Sequence, residues 1–87
     1  MTLKEFAKSA PIVCENIDIL PYRPDIEDYH DIFGFCGYET LEEHLFSPEN
    51  AEYMKEFEKY LDWEVVYVDT AILDKEPIMK IEVQERK

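Results

Sequence analysis

The stretch DIEDYHDIFGFCGYETLEEHL, residues 25–45, sets carboxylates, two histidines, a cysteine and several rings side by side, and each of these residue types can carry chemistry. His30, Cys36 and His44, with Cys14 upstream, have the donor atoms of a zinc site. Structural zinc sites draw ligands in close pairs such as Cys-x2-Cys, because one tight turn must present two donors to a tetrahedral ion. Here no two of the four lie nearer than six positions. Surface histidines and buried free thiols are the stronger account, with a Cys14–Cys36 disulfide as the alternative pairing. Asp25, Glu27, Asp28 and Asp31 offer oxygens enough for Ca²⁺ or Mg²⁺ but lack the glycine and terminal glutamate of an EF-hand loop, which argues against a dedicated metal site. There is no Gly-x-Ser-x-Gly turn, no glycine-rich phosphate loop and no nucleophile signature around Cys36. These residues point to a binding protein rather than an enzyme, with no cofactor.

The carboxylates themselves are the most informative constellation. The chain of 87 residues carries a net charge of −12, from 21 Asp and Glu against 9 Lys and Arg. Residues 25–64 hold thirteen of the acids and only Lys55 and Lys59, a local net of −11, so the remainder is close to neutral at −1. A surface of that sign repels nucleic acid and anionic lipid and attracts basic partners over about 8 to 10 Å at physiological salt. Direct nucleic-acid binding and membrane association are therefore not expected. No signal-peptide core or long apolar run is present, and two cysteines without a spacing pattern suit a reduced, cytoplasmic setting.

Positioning these side chains requires a fold, and the apolar pattern predicts one domain over residues 1–87. Hydrophobic residues make up 46% and aromatics 14%, enough for a single modest core. Thr2-Leu3-Lys4-Glu5 has the form of a capping box, followed by an apolar stripe of Leu3, Phe6, Ala7 and Ala10, which predicts a helix over 3–9. Ile17 to Leu20 reads as a strand and Ile32 to Tyr38 as a second, interrupted by Gly34 and Gly37. Thr40 to Glu43 repeats the capping box and opens a helix through Phe46. Ser47-Pro48-Glu49 then starts another over 48–61, with Tyr53, Met54, Phe57, Tyr60 and Leu61 on one side. Trp63 to Ile72 and Ile78 to Gln84 form a hairpin about Asp74-Lys75-Glu76-Pro77. The expected class is α+β, an antiparallel sheet of about four strands with helices on one face, in the order α-β-β-α-α-β-β. The core is expected where Tyr53, Met54, Phe57 and Leu61 meet Val66, Val68, Met79, Ile81 and Val83.

On a helix over 48–61, Glu49, Glu52 and Glu56 fall at i, i+3 and i+7, with neighbours about 5 to 6 Å apart. Glu39, Glu42, Glu43 and the loop acids extend that edge into a row resembling the phosphates of a nucleic-acid strand. The competing account is a solvated helix face softened by Glu52–Lys55 and Glu56–Lys59 pairs.

TLKEFAKSA followed by NIDIL, and DWEVVYVD paired with PIMKIEVQ, resemble the small helix-then-sheet proteins encoded by phages and conjugative elements of Gram-positive bacteria. The acidity and small size are similar to phage anti-CRISPR and anti-restriction proteins that mimic DNA. That resemblance implies a cytoplasmic, non-enzymatic inhibitor of a basic, nucleic-acid-binding bacterial protein, such as a CRISPR effector or a restriction enzyme. Asp25, Glu27, Asp28, Asp31, Glu39, Glu42, Glu43, Glu49, Glu52 and Glu56 would act as phosphate surrogates, with Tyr29 and Tyr38 as apolar anchors. The alternative is a small structural or regulatory interaction module, monomeric or a homodimer joined through an exposed sheet edge.

Overall fold

Ile17 and Ile19 in one segment and Ile81 and Val83 in another alternate with polar neighbours, so each segment needs one covered face, and the sheet is arranged around these two. The computed structural model describes residues 1–9, 11–23 and 30–86. Ala10, placed in the first helical stripe, and the acidic-loop residues Asp25, Glu27, Asp28 and Tyr29 lie outside the described residues. The elements are α1 (Leu3–Ser9), β1 (Asn16–Pro21), β2 (Phe33–Cys36), α2 (Leu41–Phe46), α3 (Ala51–Met54), β3 (Glu64–Leu73) and β4 (Glu76–Gln84), with 3₁₀ turns at Pro48–Asn50 and Glu58–Asp62. The class is α+β, in the expected order.

The sheet order is β2-β1-β4-β3, and it is mixed rather than wholly antiparallel. β1 and β4 run parallel, with Ile17 opposite Met79 and Ile19 opposite Ile81, while β1–β2 and β3–β4 are antiparallel. The reason is the connection between β2 and β3. It is not a tight turn but a helical passage across the sheet face, which returns the chain to the end where β2 began and makes β3 start in the same direction as β2.

Both capping boxes form. The Glu5 amide donates to Thr2 Oγ1 at 3.2 Å and the Thr2 amide donates to Glu5 Oε1 at 2.9 Å; Thr40 and Glu43 repeat the exchange. The long helix over 48–61 does not form. Its span breaks into the first 3₁₀ turn, the single turn of α3, and the second 3₁₀ turn. The amides of Phe57, Tyr60 and Trp63 each reach back three residues, to Met54, Phe57 and Tyr60. Met54, Phe57, Tyr60 and Trp63 sit at spacing three, the 3₁₀ repeat, and tightening the coil lines their side chains up. Tyr60 and Trp63 meet edge to face at 4.6 Å, and Phe57 stacks on Phe33 of β2 at 4.9 Å.

The core lies between one sheet face and the helices. Leu3 and Ala7 of α1, Leu41 and Leu45 of α2, and Met54 cover Ile17, Ile19, Phe33, Phe35, Ile81 and Val83. Each fully buried aliphatic side chain contributes about 1.5 to 3 kcal/mol. Val66 and Val68 are exposed rather than core, because the helical segment packs over β2 and β1 and leaves most of β3 uncovered. Across the outer face, Gly34, Asp18, Lys80 and Asp69 fall in one register row over all four strands, placing Lys80 between two carboxylates. No described helix is long and apolar enough to cross a membrane.

Candidate functional site

Two consecutive N-terminal caps bend the chain sharply between Thr40 and Asn50, and this bend builds an open concavity. Ser47 ends α2 and its hydroxyl accepts from the Glu49 amide, so α2 and the first 3₁₀ turn meet at an angle. The Asn50 side-chain amide donates to the His44 carbonyl at 2.8 Å and holds that angle. Between this bend and β2 lies an open groove of about 850 Å³, lined by Glu39, Glu42, Glu43, Glu49, His44 and Tyr53, with Phe46 and Cys36 also on its walls.

The four carboxylates of the groove are held differently. Glu43 folds back onto the Thr40 amide and hydroxyl in the capping box. Glu39 lies against Gly37, where a Cβ would come within 2.6 Å of Glu39 Oε2, and faces His44 Nε2 at 3.8 Å. Gly37 has φ +116°, a conformation that also favours glycine. Glu42 and Glu49 extend into solvent. No described Lys or Arg stands within ion-pair distance of any of the four; elsewhere Lys80 pairs with Asp69 and Arg86 with Glu64.

His44 is 5% exposed, its ring stacked on Phe35 at 4.8 Å with its Nε2 3.4 Å from the Gly37 carbonyl. Tyr53 closes the opposite wall: its hydroxyl donates to the Gly34 carbonyl at 3.1 Å and accepts from the Gly34 amide at 3.3 Å, which also caps the free edge of β2. Comparison with protein-family models, with curated proteins and with solved structures finds no match. The groove's chemistry therefore has to be argued from its own atoms.

The structure thus gathers Glu39, Glu42, Glu43 and Glu49 of the predicted acidic residues. Glu52, Glu56 and Asp31 are exposed but do not line the groove, and the breaking of the long helix removes the straight Glu49–Glu52–Glu56 edge. The lysine pairs expected to soften it are replaced in part by ring contacts, with Lys59 over Tyr60. Tyr38 is 71% exposed yet belongs to another patch: the charge of the Glu15 carboxylate, with a hydrogen bond to it, raises the phenol's pKa above its ordinary value. Both cysteines are free, but neither is buried. Cys36 Sγ approaches Asn16 Oδ1 and Cys14 Sγ approaches the Pro77 carbonyl, both at the β1–β4 end. Asn50 was not marked by the sequence pattern, His44 was weighed only as a zinc donor and Tyr53 only as part of the 48–61 stripe; the cue to their meeting was the pair of caps at Thr40 and Ser47, which require a bend.

Proposed function

We infer that the protein is a non-enzymatic acidic inhibitor that seats basic side chains of a bacterial nucleic-acid-binding protein, such as a CRISPR effector or a restriction enzyme, in the Glu39–Glu49 groove. The observation that carries this reading is the convergence of four carboxylates on one concave surface with no described Lys or Arg within ion-pair distance of them. Carboxylates left without internal counter-charges repel one another, a cost that an arginine- or lysine-rich cleft relieves on binding through charge-assisted hydrogen bonds. Glu42 and Glu49 are the phosphate-like groups of this reading, Glu39 and Glu43 fix the wall, and Phe46 on the rim supplies apolar contact. Binding is favoured over catalysis because the groove's histidine is turned inward against Phe35 and its Nε2 already faces the Gly37 carbonyl and the Glu39 carboxylate.

The test is capture from bacterial lysate at low and high ionic strength with wild type and with E42K/E49K. A partner retained at low salt should be released at high salt and not captured by the variant, since its groove would present like charge to a phosphate-binding surface. Equal retention by a folded variant would exclude the groove. The alternative reading, an interaction module that dimerises through a sheet edge, rests on β3.

A further inference from the structure

The two edges of the sheet are finished in opposite ways. β2 has four residues, and its edge is closed by the Tyr53 hydroxyl. β3 has ten residues, and only its beginning is closed: the Val65 amide donates to the Met1 carbonyl at 2.8 Å, the Leu3 amide donates to the Trp63 carbonyl at 2.9 Å, and the Met1 ammonium pairs with Glu64. From Val66 to Leu73 no other described strand pairs with this edge, and the outward Thr70 amide donates locally, to Asp69 Oδ1 at 2.8 Å. The polarity of the rail follows from the register. The Val83 carbonyl accepts from the Tyr22 amide on the β1 side, so by alternation Ile81 and Met79 also turn their backbone groups toward β1. Their β3 partners Val68 and Thr70 then direct N–H and C=O outward, as Val65 does, and Ile72 follows. Natural sheets blunt such edges with lysine, proline or short length. Residues 67–73 contain neither lysine nor proline, and their one acid, Asp69, faces Lys80 at 3.9 Å. Val66, Val68, Tyr67 and Ile72 are all exposed, Ile72 to 76%.

We propose that β3 pairs antiparallel with β3 of a second copy of this chain about a two-fold axis at Thr70, forming a continuous eight-stranded sheet. The strand is self-complementary in this register. Thr70 meets its own copy as a hydrogen-bonded pair once its amide exchanges the Asp69 carboxylate for the facing carbonyl, Val68 meets Ile72 of the second chain on the helix-side face, and Asp69 meets Ala71, so no like charges stand directly opposite each other. The other outward positions fit less well. An axis at Val68 would set Ile72 against Glu64, where the amino terminus already occupies the rail, and an axis at Ile72 would run at once into the turn at Asp74 and Lys75. A second copy is favoured over another protein by charge as well: in a chain of net −12, residues 66–73 hold a single acid, so this is where two copies meet with least repulsion.

The experiment is sedimentation equilibrium of the full chain, without any partner, over a range of protein concentration and salt. The expected result is twice the 10.4 kDa chain mass, changing little with ionic strength. I72K acts at two symmetric positions per dimer and should weaken association by about 100-fold. T70P removes an outward amide and its local bond to Asp69 Oδ1 while leaving the ladder to β4 intact, so it should be monomeric with unchanged far-ultraviolet circular dichroism. A wild type that stays monomeric at every concentration would assign the edge to a strand of some other protein and overturn the proposal. A dimer that persists in both variants would place the interface elsewhere and overturn it equally. Because no partner is present, failure here leaves the groove reading untouched.

Discussion

At the scale of single residues, a few backbone demands hold the groove wall in place. Gly37 combines φ +116° with a Glu39 carboxylate over its α-carbon, so G37A should cost about 1 to 3 kcal/mol in urea denaturation and also displace Glu39. The Thr2–Glu5 box does comparable work at the other end of the sheet. T2A should cost about 1 kcal/mol, a typical loss for an N-cap. The Glu5 carboxylate, accepting from the Thr2 amide and then from its hydroxyl, has a pKa below its ordinary value. A carboxylate whose folded pKa is depressed adds stability that is complete above its unfolded pKa and is lost as pH falls through the folded value. Acid titration of stability should therefore be shallower in E5Q than in wild type, with the difference confined to the ordinary carboxylate range and just below it.

At the scale of elements, apolar pattern and cap chemistry were sufficient for α1, α2 and all four strands, because each has a local cause: a Thr/Glu box, an alternation, a turn sequence. The segment 48–61 was misread because Tyr53, Met54, Phe57, Tyr60 and Leu61 satisfy an α-helical stripe, while Met54, Phe57, Tyr60 and Trp63 satisfy a 3₁₀ one equally well. Stacking of Phe57 on Phe33, a contact made across the fold, decides between them. The groove was legible only as a list of acids for the same reason: Glu39 and Glu49 are neighbours through the bend of α2 against the following turn, not through any helical period. Two substitutions separate the readings. F57A removes a stacked, half-buried ring and should cost about 3 to 5 kcal/mol, whereas V68A, at a position that pattern alone assigns to the core, should cost under about 1 kcal/mol. Chemical denaturation of both variants checks this.

At the scale of the whole molecule, charge and stability pull in opposite directions. The −11 carried by residues 25–64 is self-repulsive, so thermal stability should rise with added salt, and E42K/E49K should melt no lower than wild type at low salt while losing its partner. Melting curves of both proteins over a salt series give the answer. A variant that melts well below wild type would mean that Glu42 or Glu49 is structural. The mixed sheet carries a different consequence, one of timing. Its central ladder joins Ile17 to Met79, positions 62 residues apart, while the β3–β4 hairpin closes over a two-residue turn. The hairpin can form in microseconds, but β1 has no parallel neighbour until that long loop closes. Refolding should then wait on β1 docking against β4, so I19V and I81V should slow the folding arm of a chevron. Until that docking is complete, the hairpin carries two unpaired rails, and the interval before β1 arrives is when this chain is most exposed to misassembly.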